Sequence, residues 1–180
     1  MNTHYITRLM FFVTLTLVIE LLGLPQPFTG PLINAMLILT TLVLQPAAGV
    51  IVGALTPTVA LLRGQLPPVL LPMVPFIMTA NALLVFSFAL IKNLLKHFAQ
   101  EKSILFSINV WLALTAAAFL KFAWLYFSAR LVLPLLLGIH LPKPFIAVMA
   151  FPQFLTAFTG GVLAMVIYSL LHQRYFSPTK

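Results

Sequence analysis

Long apolar runs, interrupted mainly by proline, glycine and single cations, constrain this chain more than any other feature. The 180 residues are 62% hydrophobic and only 7% charged, whereas a soluble domain carries about 25% charged residues. A membrane-spanning helix needs about 20 apolar residues, so the length has room for about six crossings. The pattern therefore predicts one all-α integral membrane domain over residues 1–180 rather than a soluble globular protein.

Six apolar segments emerge when proline, glycine and charged residues are taken as boundaries. The second is short for a full crossing, so it is a tilted helix, a partly re-entrant one, or a helix extended through its proline-rich flank. The first resembles a secretion signal, but Gly23-Leu24-Pro25 follows where a small-residue cleavage site is expected, which favours a retained helix. The segments are Ile6 to Gly23, Leu32 to Leu44, Ala47 to Leu62, Val74 to Leu95, Ile104 to Leu133 and Pro152 to His172.

The positive charges predict the orientation, because cytoplasmic loops are enriched in lysine and arginine. With both termini in the cytoplasm, the outer side receives fewer cations but ten of the 14 prolines. Proline suits rigid, non-helical backbone, which at membrane depth is tolerated only around protein or a water-filled cavity. We therefore expect a six-helix bundle with stiff, proline-rich outer loops around a cavity. The inner cations are Arg8, Lys92, Lys96, Lys102, Arg174 and Lys180, and the outer ones are Arg63, Arg130 and Lys143.

Several classes of function are disfavoured. The net charge of +8 comes from scattered cations rather than a basic stripe, which favours the flanks of membrane helices over a nucleic-acid surface. There is no cysteine and the four histidines fit no ligand spacing, so we predict neither a metal site nor a cofactor. The chain lacks a phosphate-binding loop, and its two acids are Glu20 and Glu101. We expect a non-enzymatic protein without an ATPase site.

A few polar side chains interrupt the apolar segments, and all are predicted to lie in the outer half of the membrane. Lys121 is the clearest, since the run from Ser103 to Ala129 holds no other charge, and an ionisable residue inside a membrane is by default a functional candidate. At ~1.5 Å per residue it lies ~25 Å from the inner end of its helix. This convergence predicts an outward-facing pocket for a small solute. The candidate substrate-binding residues are Glu20, Asn34, Arg63, Asn81, Lys121, Trp124, Gln153 and Thr156.

The charges of the candidates bear on the ligand. Glu20, Arg63 and Lys121 contribute −1, +1 and +1, and this positive sum favours a ligand with an anionic group such as a carboxylate. A buried pair between Glu20 and Lys121 that merely neutralises both charges is the alternative. Four outer aromatic residues either form a wall for a ring-bearing ligand or anchor the helices at the membrane interface. These are Phe28, Phe76, Trp124 and Tyr126.

Five motifs spread over most of the chain combine proline, glycine and these polar candidates. They are Leu24-Pro25-x-x-Phe28-Thr29-Gly30-Pro31-Leu32-x-Asn34-Ala35, Gly53-Ala54-Leu55-Thr56-Pro57-x-x-Ala60-Leu61-Leu62-Arg63-Gly64, Pro72-Met73-x-Pro75-Phe76-Ile77-Met78-x-x-Asn81, Lys121-Phe122 and Gln153-x-x-Thr156-Ala157-x-x-Gly160-Gly161. As a set they resemble the substrate-binding membrane subunits (S components) of energy-coupling factor (ECF) vitamin transporters. The resemblance implies six helices, an outward pocket for a vitamin-like ligand, and the plasma membrane of a prokaryote. It also implies a transmembrane coupling subunit and two cytoplasmic ATPase subunits as partners.

In that family, small residues spaced as Ala-x-x-x-Ala on the first helix usually meet the coupling subunit. This chain has bulkier residues at the same spacing, namely Met10, Thr14 and Val18, which we take as the candidate docking positions. Two other functions stay open. One is a proton-coupled secondary transporter that uses Glu20, and the other is a membrane scaffold without transport activity. The sequence does not identify the vitamin or micronutrient.

Overall fold

A computed structural model of the protein describes residues 3–96, 104–105 and 107–175. Within these residues the regular structure is helical and no strand is present. Five helical runs in this part of the chain are long and apolar enough to cross a membrane, and one 17-residue apolar helix is shorter. The protein is therefore an all-helical, multi-pass membrane protein. Its helices are α1 Thr3–Leu21, α2 Gln26–Val43, α3 Pro46–Leu62, α4 Val74–Leu94, α5 Ile108–Phe127, α6 Leu133–Leu137, α7 Lys143–Val148 and α8 Phe151–Tyr175, with a 3₁₀ helix at Pro68–Met73 and a π-helical turn at Ser128–Val132.

Four of the predicted segments match α1, α3, α4 and α8 to within a few residues. The second segment differs, because α2 begins at Gln26 rather than Leu32 and includes Pro27 and Pro31. Pro27 is the second residue of α2, where the backbone N–H has no partner within the helix, so proline is tolerated there. Pro31 lies inside the helix, where its missing N–H leaves the carbonyl of Pro27 without the usual helical donor. Of the three possibilities for this segment, the observed one is the helix extended through its proline-rich flank.

The predicted fifth segment also differs from the structure. The helical backbone continues from α5 through the π-helical turn and α6 to Leu137, beyond the predicted end at Leu133. A π-helical turn holds one extra residue in the helix without breaking it. The left-handed Gly138, with φ of 66°, then ends the run, as glycine commonly does at a helix C-terminus.

The expectation of non-helical, proline-rich loops was wrong at two connections. Pro68–Met73 forms a 3₁₀ helix, and Lys143–Val148 forms α7. Each of these helices has proline in its first positions, where its fixed φ near −65° is already that of a helix. Glu101, Lys102 and Lys180 lie outside the described residues, as do the side chains of Gln173 to Tyr175.

The central helix of the bundle is α2, which packs against α1, α3, α4 and α8. Glycines allow two of these close approaches. A Cβ atom at Gly160 would lie 2.7 Å from Cβ of Asn34, and one at Gly53 would lie 2.9 Å from Cβ of Asn81. These two glycines therefore serve contacts within the bundle, and they place two polar candidates next to helix backbones.

Candidate substrate-binding site

A partly open cavity of about 180 Å³ lies within the bundle. It occupies the end at which α1 and α3 finish and α2, α4 and α8 begin. Its volume far exceeds the ~30 Å³ that one water occupies in the liquid, so it has room for a small organic solute. Five of the eight predicted residues line it, one from each of five helices. These are Glu20 of α1, Asn34 of α2, Asn81 of α4, Lys121 of α5 and Gln153 of α8.

Lys121 connects three helices at the inner wall of this cavity. Its side chain is only 4% exposed. The ammonium group donates to Oδ1 of Asn34 at 2.6 Å and to Oδ1 of Asn81 at 2.7 Å. Hydrogen bonds to a charged group are stronger than those between neutral groups. Two amide oxygens thus compensate a buried cation, and one ammonium N–H remains beyond these two bonds.

The orientation of Asn81 depends on a proline in the neighbouring helix. Pro57 lies inside α3 and has no N–H, so the carbonyl of Gly53, four residues earlier, lacks its usual helical donor. Nδ2 of Asn81 donates to that carbonyl at 2.8 Å, and the Thr56 hydroxyl donates to it at 3.3 Å. With Nδ2 engaged, Oδ1 of Asn81 is directed to Lys121.

Asn34 is oriented in a similar way by its own helix. Its Nδ2 donates to the carbonyl of Gly30 at 2.8 Å, one turn earlier in α2. Gly160 of α8 lies directly against Asn34, which fixes the distance between the two helices at this point. Both asparagines therefore use their N–H groups on backbone carbonyls and present their oxygens to the same ammonium group.

Glu20 occupies a different part of the cavity wall. It is 4% exposed and lines the cavity. Lys121 makes its hydrogen bonds to the two asparagines, and within the described part of the chain the Glu20 carboxylate has neither a hydrogen bond nor an ion pair. The alternative of a neutralising pair between Glu20 and Lys121 is thus not what the structure contains.

Three predicted residues do not line the cavity. Arg63 is exposed after the end of α3, and its guanidinium lies against Gly23. Trp124 is 37% exposed, and its indole N–H donates to Oγ1 of Thr79 at 2.9 Å and to the carbonyl of Phe76. Thr156 packs its methyl group against Gly30.

The proposed aromatic wall is likewise absent from the cavity lining. Phe28 is 63% exposed, and Tyr126 accepts a hydrogen bond from the Arg130 guanidinium at 2.8 Å. Phe76 packs against Trp124 with ring centroids 6.5 Å apart. The alternative role at the lipid interface therefore suits these aromatic residues better.

The cavity includes polar residues that the sequence analysis did not single out. Gln65 is the most informative, because its Nε2 donates to the carbonyl of Leu24 at 3.2 Å while its buried Oε1 has no partner. The position of Pro57 could have indicated a role for Thr56 in the sequence. A proline inside a helix frees a backbone carbonyl, which neighbouring polar side chains can satisfy. The newly found polar lining residues are Gln26, Thr29, Thr56 and Gln65.

The candidate docking residues share one face of α1. Leu9, Phe12, Thr16 and Glu20 turn inward and are buried. Met10 and Val18 are 56% and 47% exposed, and Thr14 between them is exposed as well. These three residues, spaced four apart, form a stripe along α1. The described part of the bundle leaves this stripe exposed.

Protein-family models, curated proteins and solved structures were compared with the chain, and none matches it. The fold and the cavity still define the class of protein to which the chain belongs. The chain is a multi-pass helical membrane protein with a cavity inside its bundle that is lined by both apolar and polar residues.

Proposed function

We propose that this chain is the substrate-binding membrane subunit, or S component, of an ECF-type importer. In this role a six-helix bundle with both termini in the cytoplasm captures a vitamin or related micronutrient from outside. A transmembrane coupling subunit and two cytoplasmic ATPases then drive its delivery inward. The observation that carries the proposal is the meeting of Glu20, Asn34, Asn81, Lys121 and Gln153 around one cavity.

The motifs that resemble the family support the proposal. Each of the five contributes to the cavity lining, although they are spread between Leu24 and Gly161 in the sequence. Lining residues from the five motifs include Asn34, Thr56, Asn81, Lys121 and Gln153. A buried lysine in a membrane bundle is expensive to maintain, and a helical scaffold without a ligand does not need one.

The chain carries no phosphate-binding loop in its sequence, so an importer of this kind takes its energy from partner ATPases. The first test is therefore purification of the tagged chain from its own membranes in mild detergent. We expect two ATPase subunits and one coupling subunit to accompany it, and native mass spectrometry to detect a small molecule bound to it.

A pair of lysine variants tests the site itself. Lys121→Met removes the ammonium group from the cavity, whereas Lys143→Met removes an exposed lysine from α7. We expect ligand occupancy to fall at least tenfold in the first variant and to stay unchanged in the second, measured on equal amounts of monodisperse protein. Equal occupancy in both variants would show that Lys121 does not hold the ligand. Wild-type protein without ligand and without ATPases would favour the membrane scaffold.

One observation favours a second candidate, a proton-coupled secondary transporter. The buried Glu20 carboxylate lines the cavity without a partner among the described residues, and carboxyl groups in such positions act in proton relays. Uptake by whole cells separates the two candidates. Import by the S component stops on depletion of ATP, whereas proton-coupled uptake persists while a proton gradient remains and is lost in Glu20→Gln.

A further inference from the structure

The carboxylate of Glu20 is a hydrogen-bond acceptor for which the described part of the chain supplies no donor. The residue is 4% exposed and lines the cavity. A carboxylate without a protein donor costs free energy unless water or a ligand supplies one. The Glu20 carboxylate is thus positioned to accept N–H or O–H donors from whatever occupies the cavity.

Lys121 provides a hydrogen-bond donor at the cavity wall. Lys121 uses two of its three ammonium N–H groups on Asn34 and Asn81. The third is available to an acceptor on a solute, because Lys121 lines the cavity. The cavity therefore has an acceptor from α1 and a donor from α5.

The formal charge of the cavity lining differs from the positive sum of Glu20, Arg63 and Lys121 that the sequence suggested. Arg63 lies against Gly23, outside the cavity. Glu20 and Lys121 contribute −1 and +1, so the charged side chains of the lining sum to zero. A net anionic ligand would find no surplus positive charge there, and it would have to approach the Glu20 carboxylate.

We propose that the ligand is a small nitrogenous molecule of zero or positive net charge, with N–H donors that bind Glu20 and an acceptor that binds Lys121. Amidines, amino-substituted nitrogen heterocycles and amides have this arrangement of donors and acceptors. The inference rests on the proposed function, because it assumes that the cavity holds a transported solute. It replaces the expectation of a carboxylate with a specific donor and acceptor pattern.

Three probes of the same size and shape test this pattern, namely benzamidine, benzamide and benzoate, which differ mainly in charge and N–H donors. We expect benzamidine to raise the thermal midpoint of the detergent-solubilised protein at a concentration at least tenfold lower than benzoate does. Glu20→Gln should remove that preference. Glu101→Gln, which removes the other acid of the chain from outside the described residues, should keep it. Equal shifts of the thermal midpoint from all three probes would overturn the inference, as would no shift from any of them. A larger shift from benzoate would also overturn it.

Native mass spectrometry of the ligand that accompanies the wild-type protein separates failure of the inference from failure of the proposed function. A bound molecule with N–H donors, whose occupancy falls at least tenfold in Glu20→Gln, supports the inference. A bound carboxylate without N–H donors overturns it and leaves the proposed importer intact. Absence of any ligand, together with absence of the ATPase partners, overturns both.

Discussion

The ammonium group of Lys121 lies 2.7 Å from Oδ1 of Asn81 and donates a hydrogen bond to it. Asn81 in turn donates to the carbonyl of Gly53, which lacks a helical donor because Pro57 follows four residues later. A proline in α3 therefore orients the amide in α4 that compensates the buried cation in α5. This chain of hydrogen bonds connects the Gly53 carbonyl freed by Pro57 to the ammonium group at the cavity wall.

Replacement of Asn81 by leucine should remove both of these hydrogen bonds. The substitution removes one acceptor from Lys121 and leaves the Gly53 carbonyl with only the weak Thr56 bond. Loss of a bond to a charged group and of a buried partner together cost about 2–4 kcal/mol. We expect a lower thermal midpoint of the protein in detergent and weaker ligand binding.

A second substitution tests whether Pro57 is the cause. In the double variant Asn81→Leu/Pro57→Ala, the new backbone N–H at position 57 supplies a donor to the Gly53 carbonyl, so we expect recovery of about 1 kcal/mol. Asn93→Leu, on the exposed surface of the same helix, is the matched control and should leave the midpoint nearly unchanged. A double variant no more stable than Asn81→Leu alone would show that the free carbonyl is not what Asn81 satisfies.

Gly160→Ala should move Asn34 away from Lys121. The added methyl group would lie 2.7 Å from Cβ of Asn34 and 2.9 Å from the backbone nitrogen of Ala35, so α2 and α8 must separate. We expect lower thermal stability and at least tenfold weaker ligand binding. Thr159→Ala, at an exposed position of α8, should change neither measurement. Unaltered binding in Gly160→Ala would mean that the position of Asn34 does not govern the site.

The sequence predicted the elements whose ends coincide with proline or charge. Helix α4 begins at Val74 beside Pro75 and ends after Lys92, and both of its limits were expected to within one residue. The same rule failed at α2, because proline was treated as a boundary although Pro27 lies in the tolerant first turn and Pro31 lies inside the helix. The short helices Pro68–Met73 and Lys143–Val148 were missed for the same reason.

The site was partly predictable because buried polar residues are rare in apolar helices. Asn34, Asn81 and Lys121 stand out in the sequence for this reason, and the structure brings them within hydrogen-bond distance. Arg63 was misplaced because it follows the last turn of α3, where the direction of a side chain depends on the local turn rather than on helical periodicity. Gln65 was missed because it belongs to a connection, where periodicity predicts nothing.

The exposed stripe on α1 provides a test of the partner. Thr14→Trp places a bulky ring between Met10 and Val18, on the face turned away from the bundle. If this face docks the coupling subunit, the variant should lose the ATPase subunits on purification and retain its ligand. Leu112→Trp, at a 52% exposed position of α5, is the control and should keep the complex. Intact complexes in Thr14→Trp would move the docking surface to another helix.

Glu20 and Lys121 should affect the stability of the ligand-free protein with opposite signs. Glu20→Gln removes a charge at the cavity wall that has no protein partner in the described residues, so the cost of partly desolvating that charge is removed. Lys121→Met leaves the oxygens of Asn34 and Asn81 without a donor, which destabilises the bundle. We therefore expect Glu20→Gln to raise or preserve the thermal midpoint in detergent and Lys121→Met to lower it, while both weaken ligand binding. A marked fall in the midpoint for Glu20→Gln would indicate that this carboxylate serves the fold, because a residue kept for its ligand should stabilise the protein only when the ligand is bound.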